Sequence, residues 1–175
     1  MTTSLLADAF GHHVWATLRL LDACIPLTGE QLATIVPGTY GSILDTARHL
    51  VGADRSYLFV VSGGALGEIE EDGLDLGGLR TAMDPAGPAW AAFLASDPDP
   101  DAAVTRHRDD GTSSHAQMSI RLAQAIHHGT DHRSQICTAL TTLAIEPPAI
   151  DVWDFAGTDG RLSETGTPDP AAAGA

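Results

Sequence analysis

Apolar residues in this chain recur at helical spacing over several stretches of about twenty residues, and that pattern limits the fold more than any other feature. Leu5, Leu6, Phe10, His13, Val14, Leu18 and Leu21 predict a first helix from about Ser4 to Ala23, ended by Pro26. Thr28-Gly29-Glu30-Gln31 has the form of a capping box and predicts one short helical turn. After the turn-rich connector Pro37-Gly38-Thr39-Tyr40-Gly41, Ser42 reads as the N-cap of a second long helix, with Asp45 in its first turn. Ile43, Leu44, Ala47, Leu50, Val51, Leu58 and Val61 make its apolar face, and Ser62-Gly63-Gly64 terminates it. A third helical region spans Leu74 to Ser96. It is interrupted near Pro85-Ala86-Gly87-Pro88, with Pro88 in the first turn of a helix carrying Trp90, Phe93 and Leu94. The last long helix runs from about Ile120 to Thr142.

The connectors carry other signals. Glu68-Ile69-Glu70-Glu71-Asp72-Gly73 reads as an exposed acidic loop, and the Asp-Pro-Asp-Pro-Asp run at 97–101 as a stiff connector. Ala103 to Arg108 and Ser114 to Met118 flank Asp109-Asp110-Gly111-Thr112 and predict a short extended, hairpin-like excursion. Ile150 to Phe155 is apolar enough to dock on the body. Beyond Gly157 the Gly, Thr, Asp, Pro and Ala composition predicts a disordered tail. The expectation is therefore an all-α protein: a four-helix bundle over 1–157 with one extended excursion before the last long helix, followed by a tail over 158–175.

Charge excludes two classes of partner. The formal net charge is −14, and all nine basic residues are arginine. Nucleic-acid binding needs a positive face, as does adsorption to an anionic membrane surface. No apolar run is long enough to span a bilayer, and the N-terminus lacks the basic start of a secretory signal. A cytoplasmic protein is the default. Cys24 and Cys137 fall on apolar helix faces and read as buried, inert thiols.

Histidine carries the chemistry. His128 and His132 lie four residues apart on the last helix, a step that rises roughly 6 Å and overshoots a full turn by about 40°. Both imidazoles then share one face and can converge on one metal ion. Spacing alone is weak evidence, because eight histidines in 175 residues produce roughly 0.3 such pairs by chance. A divalent metal wants three or four ligands, and His49, in the middle of the second long helix, is the best third. His12 and His13 point to different sides of their helix; His13 can face the interior as a supporting group or a fourth ligand. His107 and His115 read as solvated, while His127 and Asp131 point away from the face that His128 and His132 share. Gly129 follows His128 where a zinc protease needs its glutamate base, which rejects that class. The carboxylates and Glu-x-x-His element of a ferritin-type di-iron site are also missing, so one metal is the better reading.

Three stretches together carry a family resemblance: Gly38-Thr39-Tyr40-Gly41-Ser42-Ile43 leading to His49-Leu50-Val51-Gly52-Ala53-Asp54, then His128-Gly129-Thr130-Asp131-His132-Arg133-Ser134-Gln135-Ile136, and finally Asp151-Val152-Trp153. Over about residues 5–156 the chain resembles the DinB/YfiT-like family of metal-dependent bundle proteins. Ser134 departs from it, since many relatives carry glycine there. The resemblance implies a single metal held by His49, His128 and His132, with positions left open to water or substrate, and it implies a homodimer. Some relatives are transferases or isomerases that use low-molecular-weight thiols. The expectation is a metal-dependent enzyme of thiol-transferase or hydrolase type with one divalent transition metal per chain (Zn, Ni or Fe). A non-catalytic metal- or small-ligand-binding stress or sensor protein is the alternative. Gln124 and Gln135, one turn either side of the metal-facing pair, are candidates to orient ligands. Arg133 pairs with Asp54 or Asp131, or binds a substrate carboxylate.

Overall fold

The computed structural model of the chain describes residues 4–108 and 110–163. Helix α1 (Leu5–Cys24) is capped by the Ser4 hydroxyl, which accepts the Ala7 N–H, and the capping box at Thr28 and Gln31 starts the one-turn α2 (Gly29–Leu32). Helix α3 (Ile43–Ser62) opens on a reciprocal Ser42/Asp45 capping box and stops at Gly63. Then come α4 (Leu76–Met83), capped by Asp75, and α5 (Ala86–Ala95). Strands β1 (Ala103–His107) and β2 (Ser113–Gln117) pair antiparallel with Thr105 opposite His115. They lead into α6 (Met118–Thr142) and a last helix, α7 (Val152–Thr158).

The protein is mostly helical with this one small sheet among the described residues, but it is not a bundle of four long helices. Helices α1, α3 and α6 are long; the fourth place is filled by α4 and α5, packed on α1 and α3. The break falls at Pro85, which has no N–H to continue the ladder that ends with Asp84 N–H on the Arg80 carbonyl. Pro88 sits in the first turn of α5, as its sequence position predicts.

Phe10, Leu20, Leu50, Leu58, Leu79, Met83, Trp90, Ile136 and Leu140 are buried between these helices. The most extensive helix–helix contact joins α3 to α6, the two helices that carry His49 and the His128/His132 pair. No described helix is long and apolar enough to cross a membrane. Cys24 is buried and Cys137 half-buried, and both are free thiols.

Two expectations about the connectors need correcting. The acidic segment is not simply an exposed loop: Glu71–Gly73 forms a 3-10 turn packed on α3, with the Glu71 side chain half-buried. The body also continues beyond Gly157, because α7 extends to Thr158 and Arg161 ion-pairs with Asp8 on α1. Phe155 docks on Gly11, Trp15 and His12, whereas Val152 and Trp153 stay exposed. The remainder of the expected tail, 164–175, lies outside the described residues.

Candidate metal centre

His49, His128 and His132 meet between α3 and α6, and one donor nitrogen from each lies within 4.8 Å of the others. The Nε2 atoms of His128 and His49 are 3.0 Å apart, and those of His132 and His128 3.2 Å. Metal–nitrogen bonds of about 2.0–2.1 Å in a tetrahedral site set neighbouring nitrogens about 3.3 Å apart. The observed separations match that edge, so the residues fit a divalent ion bound through Nε2. Burial, with the imidazoles of His132 and then His49 adding to it, pushes His128 down to about 4. Burial and then His132 also lower His49. Both rings are therefore held in the neutral form that ligates a metal.

The connector before α3 sets the orientation of this triad. Tyr40 stacks flat on His49, with ring centroids 4.1 Å apart and planes 6° from parallel, and meets His132 edge-on. The Tyr40 N–H donates to Gln135 Oε1 at 2.9 Å. A backbone N–H can only donate, so it identifies that atom as the amide oxygen. His132 Nδ1 lies 3.1 Å from the same oxygen and must carry the proton. His132 Nε2 then presents its lone pair to the other two histidines, the arrangement that metal-ligating histidines require. Gln135 thus does what its position predicts. Gln124 does not: it is exposed and donates to the Tyr57 hydroxyl.

His13 is not a fourth ligand. Both of its ring nitrogens are engaged in a separate buried network. Arg133 Nη1 lies 3.0 Å from His13 Nδ1, and a guanidinium can only donate, so Nδ1 accepts and the proton resides on Nε2. That Nε2–H donates to Asp54 Oδ1 at 2.8 Å, which also takes the Trp90 indole N–H at 3.1 Å. The expected contact of Arg133 with Asp54 is therefore indirect: a neutral His13 stands between them. Arg133 also donates to Thr17 and Thr130. Burial pushes its pKa down to about 10.

Gly129 is where this network crosses α6. A Cβ there would lie 2.3 Å from His13 Cε1 and 2.6 Å from His13 Nδ1. The glycine that excludes protease chemistry is therefore also what lets His13 reach Arg133. His127, His107 and His115 are exposed and outside the triad, as expected.

A profile of the DinB family matches residues 1–165. The chain belongs to the DinB family. No curated protein matches it. Within this DinB chain, sequence reasoning passed over Tyr40 as a ligand-orienting residue, although it stands in the Gly38–Gly41 stretch that carries the resemblance. It also missed Trp90 as the indole partner of Asp54, because an aromatic residue at helical spacing signals only core.

Proposed function

We propose that this DinB protein is a metal-dependent enzyme acting on a low-molecular-weight thiol, with one divalent transition metal (Zn, Ni or Fe) held by His49, His128 and His132. The convergence of three imidazole donors, with His128 Nε2 at tetrahedral spacing from the Nε2 of both His49 and His132, carries this reading. Three protein ligands leave a position for an exchangeable one, and a polar hollow of about 390 Å³ lined by Tyr40, Arg48 and His49 opens beside the His49 ligand. A cation held by these three histidines would lower the pKa of a coordinated thiol, or of a water if the reaction is a hydrolysis. The chain's own part is orientation: Gln135 fixes the His132 tautomer, Tyr40 holds the His49 ring, and the hollow admits the substrate. A non-catalytic binding protein needs no such opening beside its ligands, which favours the enzyme over the alternative. The acidic surface, without lysine, supports a small-molecule substrate rather than nucleic acid. A cytoplasmic location and a second copy of the chain as partner complete the reading, and both rest on the sequence and the family.

The test is to load the protein separately with zinc, nickel and iron, count the metal, and incubate each form with a panel of thiols and electrophiles. We expect close to one ion per chain and thiol-dependent turnover that His49→Ala abolishes. Protein that takes up no metal overturns the site. One bound ion with no turnover across the panel leaves the binding-protein alternative.

A further inference from the structure

The Glu71 side chain lies across Gly52 on α3. A Cβ at position 52 would sit 2.4 Å from Glu71 Cδ and 2.6 Å from each carboxylate oxygen, so only glycine leaves the carboxylate room to settle there. Gly52 follows His49 by three residues, about 4.5 Å further along the same helix face. Glu71 and His49 both line the hollow of about 390 Å³, together with Tyr40 and Arg48. They also share a second hollow of about 220 Å³, lined in part by Tyr57 and Arg106. Glu71 therefore stands at the partition between two openings that both reach His49.

Among the described residues the Glu71 carboxylate has no side-chain hydrogen-bond or ion-pair partner. The nearby arginines are engaged elsewhere: Arg48 Nε donates to the Leu74 carbonyl, and Arg106 faces Glu68 at 3.9 Å. A carboxylate that opens onto both hollows without a protein partner is free to accept from a donor placed there. Three neutral imidazoles, for their part, leave both charges of a divalent ion uncompensated.

We infer that Glu71 is a positioning residue of the metal site. Its carboxylate accepts a hydrogen bond from the exchangeable ligand beside His49, and its charge offsets that of the ion. This inference rests on the metal reading proposed above.

Cobalt(II) is the probe, titrated into the full-length protein against a competing chelator, with visible absorption recorded. Glu71→Gln keeps the shape and removes the charge. Gly52→Ala keeps the charge but displaces the carboxylate. Asp72→Asn removes a neighbouring exposed charge that lines the same hollow. We expect Glu71→Gln and Gly52→Ala to bind one cobalt per chain roughly 10-fold more weakly, with altered visible bands, and Asp72→Asn to match the wild type. Glu71→Gln with wild-type affinity and bands overturns the inference while leaving the three-histidine site standing, as does an equal loss in Asp72→Asn. If the wild type binds no cobalt, the metal reading falls and this inference with it. Should Gly52→Ala fail to fold, the isosteric Glu71→Gln carries the test.

Discussion

Gln135 and His132 are one helical turn apart on α6, and the Gln135 Oε1 that accepts the Tyr40 N–H also accepts the proton on His132 Nδ1. The donor atom of a ligand on one helix is thereby set by the backbone of the connector that leads into another. Gln135→Leu removes the acceptor while keeping the bulk, and frees His132 to turn or change tautomer. Loss of such an outer partner typically costs about 10–100-fold in metal affinity. Zinc titration against a chromophoric chelator should show a loss of that size, with the stoichiometry kept at one. An unchanged affinity would mean that Tyr40 packing alone holds the ring.

Gly129 decides a second outcome in which two effects oppose each other. Glycine to alanine inside a helix normally stabilises by about 0.8–1 kcal/mol. At this position the new methyl would meet His13 Cε1 at 2.3 Å, within a network that has no flexible end to give way. Overpacking of a tight interior costs about 1–3 kcal/mol, and here it also separates His13 from Arg133. Gly129→Ala should therefore lower the urea midpoint, against the propensity trend. A higher midpoint would show that His13 moves aside freely.

How legible this was from the sequence depends on the range of the interaction. Ser42 with Asp45, Thr28 with Gln31, and the apolar faces of α1, α3 and α6 are local patterns, and each fixes its own element. The pair His128/His132 is local too, and His49 is the one histidine of α3, so the triad was recoverable. Glu71 was not. Its approach to Gly52 joins residues nineteen apart through a connector, 63–70, that has no periodicity, and in the sequence it is one acid among several. The order Asp54–His13–Arg133 was also out of reach, because it depends on the register of α1 between α3 and α6.

That order makes Asp54 the critical member of the buried network. Arg133 is 3% exposed and Asp54 2%, and the carboxylate balances the guanidinium through one neutral imidazole. Removing one partner of a buried charged set typically costs about 3–5 kcal/mol, since the other charge stays desolvated and uncompensated. Asp54→Ala should destabilise by that order and also strand the Trp90 indole N–H. The double variant Asp54→Ala/Arg133→Leu should recover part of the loss in chemical denaturation, because no buried charge remains. A double variant as unstable as the sum of the singles would show that the charges are not coupled through His13.

Acid sensitivity of the metal-free protein follows from His128. Its pKa falls from an ordinary 6.5 to about 4 on folding, through burial first and then the imidazoles of His132 and His49. Between those two values the unfolded chain binds more protons than the folded one, so stability rises with pH through this window and is lost as pH falls from 6.5 towards 4. His49, lowered in the same way, adds to the slope. A bound ion should steepen it further, since protons compete with the metal for the same Nε2 lone pairs. Thermal melts of metal-free protein from pH 4 to 7 should show the decline, and His128→Gln, which does not titrate there, should flatten it. A wild-type profile that stays level across this range would mean that the ring is solvated well enough to protonate in place.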